Sequence, residues 1–145
     1  IRERLEATVD SSHVLFTVPS LEQLRRGGRI SGLASLLGTL LQVRPVMAVD
    51  DGAIGLVDRP RSAARAVDRL VELATERAGG DPVRIAVHAY GDPETAGQLA
   101  ERLQPISTTP VPVVELPAVL AAHLGLGALG VVICPLESPT GGSGD

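Results

Sequence analysis

The chain has 145 residues, 44% of them hydrophobic, so it is long enough for one domain with a real core and too apolar to stay disordered. Its formal charge is −4, its 13 basic residues are all arginine, and its aromatics are Phe16 and Tyr90 alone; this removes Schiff-base and P-loop lysines and base-stacking platforms, and no nucleic-acid partner is expected. One cysteine, Cys134, and three dispersed histidines offer neither an internal disulfide nor a metal-ligand spacing, so no cofactor or metal is expected.

The first residue is Ile1, which reads as the start of an excised or processed segment. Arg, Asp or Gly interrupts every apolar run, no signal-peptide pattern is present, and the expectation is a cytoplasmic protein without a membrane span. Residues 1–9 read as the end of a helix, broken by Asp10, Ser11 and Ser12. Residues 13–18, HVLFTV, are rich in β-formers and read as a strand that His13 opens in an exposed position. Ser20 caps a short helix through Leu21 and Leu24.

Arg25, Arg26 and Arg29 then surround Gly27 and Gly28, where the backbone can bend. Ser31 is placed to cap a helix over 32–42, in which Leu33, Leu36, Leu37, Leu40 and Leu41 form an apolar stripe. Charge-assisted donors at the mouth of an aliphatic surface suit a ligand with an anionic head and a long apolar tail. A solvated basic turn leading into an ordinary core helix explains the same residues.

Residues 43–49 and 53–57 read as two strands of a hairpin around Asp50-Asp51-Gly52. Pro60 and Ser62 open a helix that runs to Ala78, with Ala63, Val67, Leu70, Val71 and Ala74 on one face, and Gly79-Gly80 stop it. Residues 83–89 read as a central strand. Asp92-Pro93-Glu94 starts a helix to Leu103 with Ala96, Leu99, Ala100 and Leu103 inward. Residues 111–116 read as a strand in which Pro112 favours an edge. A loop or short helix over 117–127 leads to a last strand at 128–134, and the Pro/Gly/Ser-rich residues 135–145 read as a disordered tail. Together the elements predict an α/β fold: a two-layer domain over 1–134 with a mixed sheet of about six strands and helices packed on it.

His123 is the strongest candidate for chemistry. It lies in A-H-L-G-L-G-A-L-G, where Gly125 and Gly127 allow close backbone approach and the imidazole can donate to a carboxylate. His88, at a strand end, reads as structural, Asp50 and Asp51 as turn residues, and Cys134 as a buried spectator. On these residues alone three readings stay open: a binding domain, a small-anion enzyme using His123 or His88 as general base, and a protein-docking or regulatory domain using the arginine loop at 25–29. The enzyme reading lacks a nucleophile or second catalytic group at a usable spacing.

Three blocks, LEQLRRGGRISGL from Leu21, LLGTLLQVRPVMAVDDGAI from Leu36 and AAHLGLGALGVVI from Ala121, closely resemble the C-terminal domain of the DegV family of bacterial fatty-acid-binding proteins. The resemblance implies a carrier, not an enzyme, whose missing N-terminal domain closes over a long-chain fatty acid and which presents that acid to a fatty-acid kinase for acyl-phosphate formation. It also implies roles. His123 matches the histidine of the family's H-T-G-P-G loop, which approaches the carboxylate, although Leu124 and Leu126 stand here in place of Thr and Pro. Arg26, Gly27, Gly28, Arg29 and Ser31 match the family block, which puts Arg29 beside the cleft. The acyl tail would follow the stripe of Leu33, Leu36, Leu37 and Leu40. Without the other domain this apolar surface would be exposed, so self-association of the isolated domain is expected.

Overall fold

The computed structural model describes residues 1–20 and 44–136. The expected features at 21–43 and 137–145 lie outside the described residues, and with them Arg26, Arg29, Ser31, Leu33, Leu36, Leu37 and Leu40.

Helix α1 (Arg2–Ser11) leads into strand β1 (His13–Thr17). Strands β2 (Val46–Asp50) and β3 (Ala53–Asp58) follow, then helix α2 (Ala63–Ala78), strand β4 (Val83–Ala89) and helix α3 (Pro93–Leu103). A 3-10 turn (Gln104–Ile106), strand β5 (Val113–Glu115), helix α4 (Ala118–Leu124) and strand β6 (Leu129–Pro135) complete the order. The six strands form one mixed sheet in the order β3-β2-β1-β6-β4-β5. Every neighbouring pair is antiparallel except β4 and β5, which α3 joins as a parallel unit. The expected α/β architecture is therefore the observed one.

Local chemistry explains the elements. Asp51 and Gly52 both take positive φ, 50° and 76°, the backbone that a two-residue hairpin turn between β2 and β3 needs. The Ser62 side chain accepts the Arg65 N–H at 3.2 Å to start α2, and Gly79, at φ 62°, ends it. Asp92 accepts the Thr95 N–H at 3.1 Å to start α3, with Pro93 at the first helical position.

Helices α2 and α3 cover one face of the sheet. Ala66, Val67, Leu70, Leu73, Ala74 and Ala78 of α2 and Ala96, Leu99, Ala100 and Leu103 of α3 are buried against Leu15, Val46, Ala48, Ile85, Val87, Val131 and Ile133. The α3 face is the one expected from spacing. On α2, Ala63 is exposed and Val71 only half-buried, and Ala66, Leu73 and Ala78 complete the buried face.

Four further readings are corrected. Strand β4 is not central: β1 and β6 occupy the middle, and β4 lies next to the edge strand β5. Alternating burial looks the same in both places, since β4 is paired on both sides. Strand β2 begins at Val46 instead of residue 43: the Arg44 N–H still donates to Pro60 O at 2.7 Å in the register of the β2–β3 pair, but Pro60 has no N–H to return, so the ladder ends there. His13 is half-buried, paired with Ile133. Cys134 is also only half-buried, and its sulfur accepts the Ser12 hydroxyl at 3.3 Å.

Candidate ligand-binding site

Strands β1, β4 and β5 finish, and β2 and β6 begin, at the same end of the sheet, since Thr17 pairs with both Val46 and Leu129, and Ala89 with both Leu129 and Glu115. The loops that carry the candidate residues meet there. Helix α4 ends at Gly125, whose φ of 91° lets the chain turn back while its N–H donates to Ala121 O at 2.8 Å. Gly127, at φ 96°, donates to Tyr90 O at 2.7 Å, and the Tyr90 N–H donates to Ala128 O at 3.1 Å. The His123 loop is thus pinned to the loop after β4 by a pair of backbone bonds. These glycines provide conformation and close approach, with both N–H groups donating within the chain.

Gly91 fixes the same junction. Its φ is 86°, and a Cβ there would fall 2.2 Å from Leu126 Cδ1. Sequence reading missed this contact, because Tyr90-Gly91 shows only a loop. The one available signal was a glycine directly after a strand.

His123 is half-buried in the last turn of α4, and among the described residues its ring has no hydrogen-bond partner. Next to it, Leu124 packs into a second apolar cluster of Phe16, Val18, Met47, Leu116 and Ala128, joined by Tyr90, Val14, Val49, Ile54 and Leu56. This cluster lies on the sheet face opposite α2 and α3. Strand register defines that face: Leu56, Met47, Phe16, Gly130, His88 and Val114 follow one another across all six strands. His88, read as structural, therefore shares the face with the cluster. The signal was the alternation along β4, where Arg84, Ala86 and His88 point away from the buried Ile85 and Val87. An exposed apolar rim of Val113, Val114, Val119, Leu120 and Leu126 borders the same corner.

The structure brings together His123, Gly125 and Gly127 and sets them beside aliphatic surface. The arginine and leucine candidates lie outside the described residues. Among those described, no three His, Cys, Asp or Glu side chains form a metal-binding group, and no helix is long and apolar enough to cross a membrane.

Comparison with known proteins gives a consistent picture. Residues 1–136 match the DegV family, described as uncharacterised protein, DegV family. A DegV domain-containing protein of Streptomyces coelicolor is 43% identical over 120 residues, 81% of this chain and 43% of its own length. Protein DegV of Bacillus subtilis is 34% identical over 140 residues, 92% of this chain and 48% of its own. The chain thus spans about half the length of these relatives. Among solved structures, a fatty acid binding DegV family protein of Streptococcus agalactiae superposes with a TM-score of 0.84 at 26% identity, covering 94% of this chain and 49% of that one. A DegV family protein of Thermus thermophilus, described by its fatty acid binding, gives 0.80 at 32% identity, covering 92% and 48%. With the family matched over almost all of its length, the chain belongs to the DegV family.

Proposed function

We propose that this chain forms one half of a fatty-acid-binding site and acts as a carrier surface, not as a catalyst. The observation that carries the reading is the meeting of His123 with the apolar cluster of Phe16, Met47, Leu116 and Leu124 at one end of the sheet. The fold supports it, because neighbours of 26% and 32% identity are themselves described as fatty acid binding.

The energetics divide the work. Each buried methylene is worth about 0.8 kcal/mol, so about twelve buried carbons contribute roughly 10 kcal/mol gross. One charge-assisted hydrogen bond nets only about 1.5–3 kcal/mol. The tail therefore sets affinity, and His123 sets which end of the ligand reaches the glycine loop. The tail runs over the sheet face that carries Phe16 and Met47 and along the stripe of Leu33, Leu36, Leu37 and Leu40; Arg26, Arg29 and Ser31 stand near the head group. The remaining half of the protein closes over the exposed rim of Val113, Val119, Leu120 and Leu126, and a separate fatty-acid kinase phosphorylates the presented carboxylate.

Native mass spectrometry of the intact protein tests the reading: it should carry an added mass equal to a long-chain fatty acid. His123→Ala should keep the acyl mass but slow acyl-phosphate formation by a kinase partner at least tenfold. No acyl adduct, even after free fatty acid is added, would overturn the carrier reading.

A further inference from the structure

We propose that the cleft between the first turns of α2 and α3 is a second ligand site, on the helix-covered side of the sheet and bounded at one end by Leu126 and Gly127 of the His123 loop, for a small molecule bearing an oxyanion such as a phosphate ester or a carboxylate. The cleft has a volume of about 580 Å³, within the range of small-molecule sites.

Its floor holds Thr17. This side chain is 5% exposed and lies on the helix-facing side of β1, level with Val46 and Leu129, and its hydroxyl oxygen is buried with no hydrogen-bond partner among the described residues. A buried hydroxyl left unpaired is costly, so its place is normally taken by an apolar residue or its partner is supplied. A polar ligand in the cleft supplies that partner.

The charges around the cleft are not equivalent. Arg102 is held by Asp68 at 2.8 Å, and the Asp92 carboxylate accepts the Thr95 N–H. Arg44 also lines the cleft, half-buried and anchored through its backbone N–H to Pro60, and among the described residues its guanidinium is paired with no acid. The two helix starts differ as well. Helix α3 is capped by its own aspartate and has a proline at its first position. Helix α2, 16 residues long, has no acid in its first turn. Ser62 takes the N–H groups of Arg65 and Ala66, which leaves those of Ala63 and Ala64, at the cleft wall, uncommitted among the described residues. A positive helix end, an uncommitted arginine and a buried hydroxyl converge on one space, and an oxyanion satisfies all three. Val67 and Leu129 add apolar wall for a few carbons behind the anion.

This inference does not rest on the acyl reading. The test is titration of the intact protein with inorganic phosphate and, separately, with acetate, followed by 1H–15N NMR. Saturable shifts at Thr17, Ala63, Ala64 and Gly91 are expected with at least one anion, and which anion saturates separates a phosphate ester from a carboxylate. Arg44→Gln should weaken binding about tenfold. Thr17→Val should weaken it several-fold while raising the thermal midpoint, because valine fills the same space without an unpaired hydroxyl. Thr17→Ser should keep binding, and fatty-acid loading should be unchanged in all three. Absence of shifts, or unsaturable shifts spread over exposed arginines and unaltered by Arg44→Gln, would overturn the proposal. So would a Thr17→Val protein with unaltered anion affinity.

Discussion

The two faces of this sheet use the same aliphatic residues to different ends. Under α2 and α3, side chains from both helices and from strands β1, β2, β4 and β6 close into a continuous core, with Leu15, Leu70, Leu99, Leu103 and Ile133 fully buried. On the opposite face Phe16 and Met47 are buried, whereas Val14, Val49, Ile54 and Leu56 of the same cluster are only partly so. The first face is built to be filled by its own helices. On the second, burial is nearly complete toward the His123 end, at Val18, Met47 and Ala128, and falls away toward the hairpin, at Val14, Val49 and Ile54. Composition does not separate the two; what each face meets does.

Paired truncations break this comparison most directly. Leu70→Ala and Met47→Ala each empty a fully buried site, and each should cost about 2–5 kcal/mol in denaturant unfolding. Saturating fatty acid should restore stability to Leu70→Ala by as much as it stabilises the parent protein, and to Met47→Ala by distinctly less. Equal restoration would mean that the acyl chain does not lie on the Met47 face.

The junction between the faces is tested at Gly91. Gly91→Ala must adopt positive φ and push Leu126 aside, and should cost about 1–2 kcal/mol. Adding Leu126→Ala should recover only the steric part, since the backbone strain stays. Full recovery would show that φ at 91 does not matter.

A smaller effect belongs to the helix-covered side. Hydrogen bonds from the Thr95 side chain and then its backbone N–H hold the Asp92 carboxyl below its usual range. A carboxyl whose pKa is lowered by folding stabilises the folded state above its unfolded value, and that contribution fades as pH falls through the lowered one. Asp92→Ala should thus cost about 1 kcal/mol at neutral pH and nothing once the pH is below the folded pKa. A cost that persists in acid would point to packing instead of capping.

Smallest of all is the tie between the two helices. Arg102 and Asp68 are both exposed, so Arg102→Ala should change stability by less than about 1 kcal/mol, and high salt should erase the difference.

Much of the fold was legible before any coordinates. The Asp-Gly turn, the Ser62 and Asp92 caps, the proline at 93 and the stop at Gly79 are local signals, because each works through the conformation or hydrogen bonding of a few adjacent residues. The inward face of α3 followed from spacing alone. His123 and its glycines stood out by their spacing, and the blocks around them pointed to the DegV family. Where local signals ran out, the readings slipped. Nothing near β4 says which strands will flank it, and nothing around Ala63 says which turn of α2 will be the first to bury its side chains.

The sequence by itself determined the elements, their caps and the amphipathic faces, since these depend on contacts within a turn or two of chain. Only the tertiary structure decided strand order, the sharing of one face by Phe16 and His88, the engagement of Gly127 with Tyr90, and the burial of the Thr17 hydroxyl beside Arg44. Each of these joins residues far apart in the chain, and which distant segments meet is settled by closing the whole sheet and its helices together.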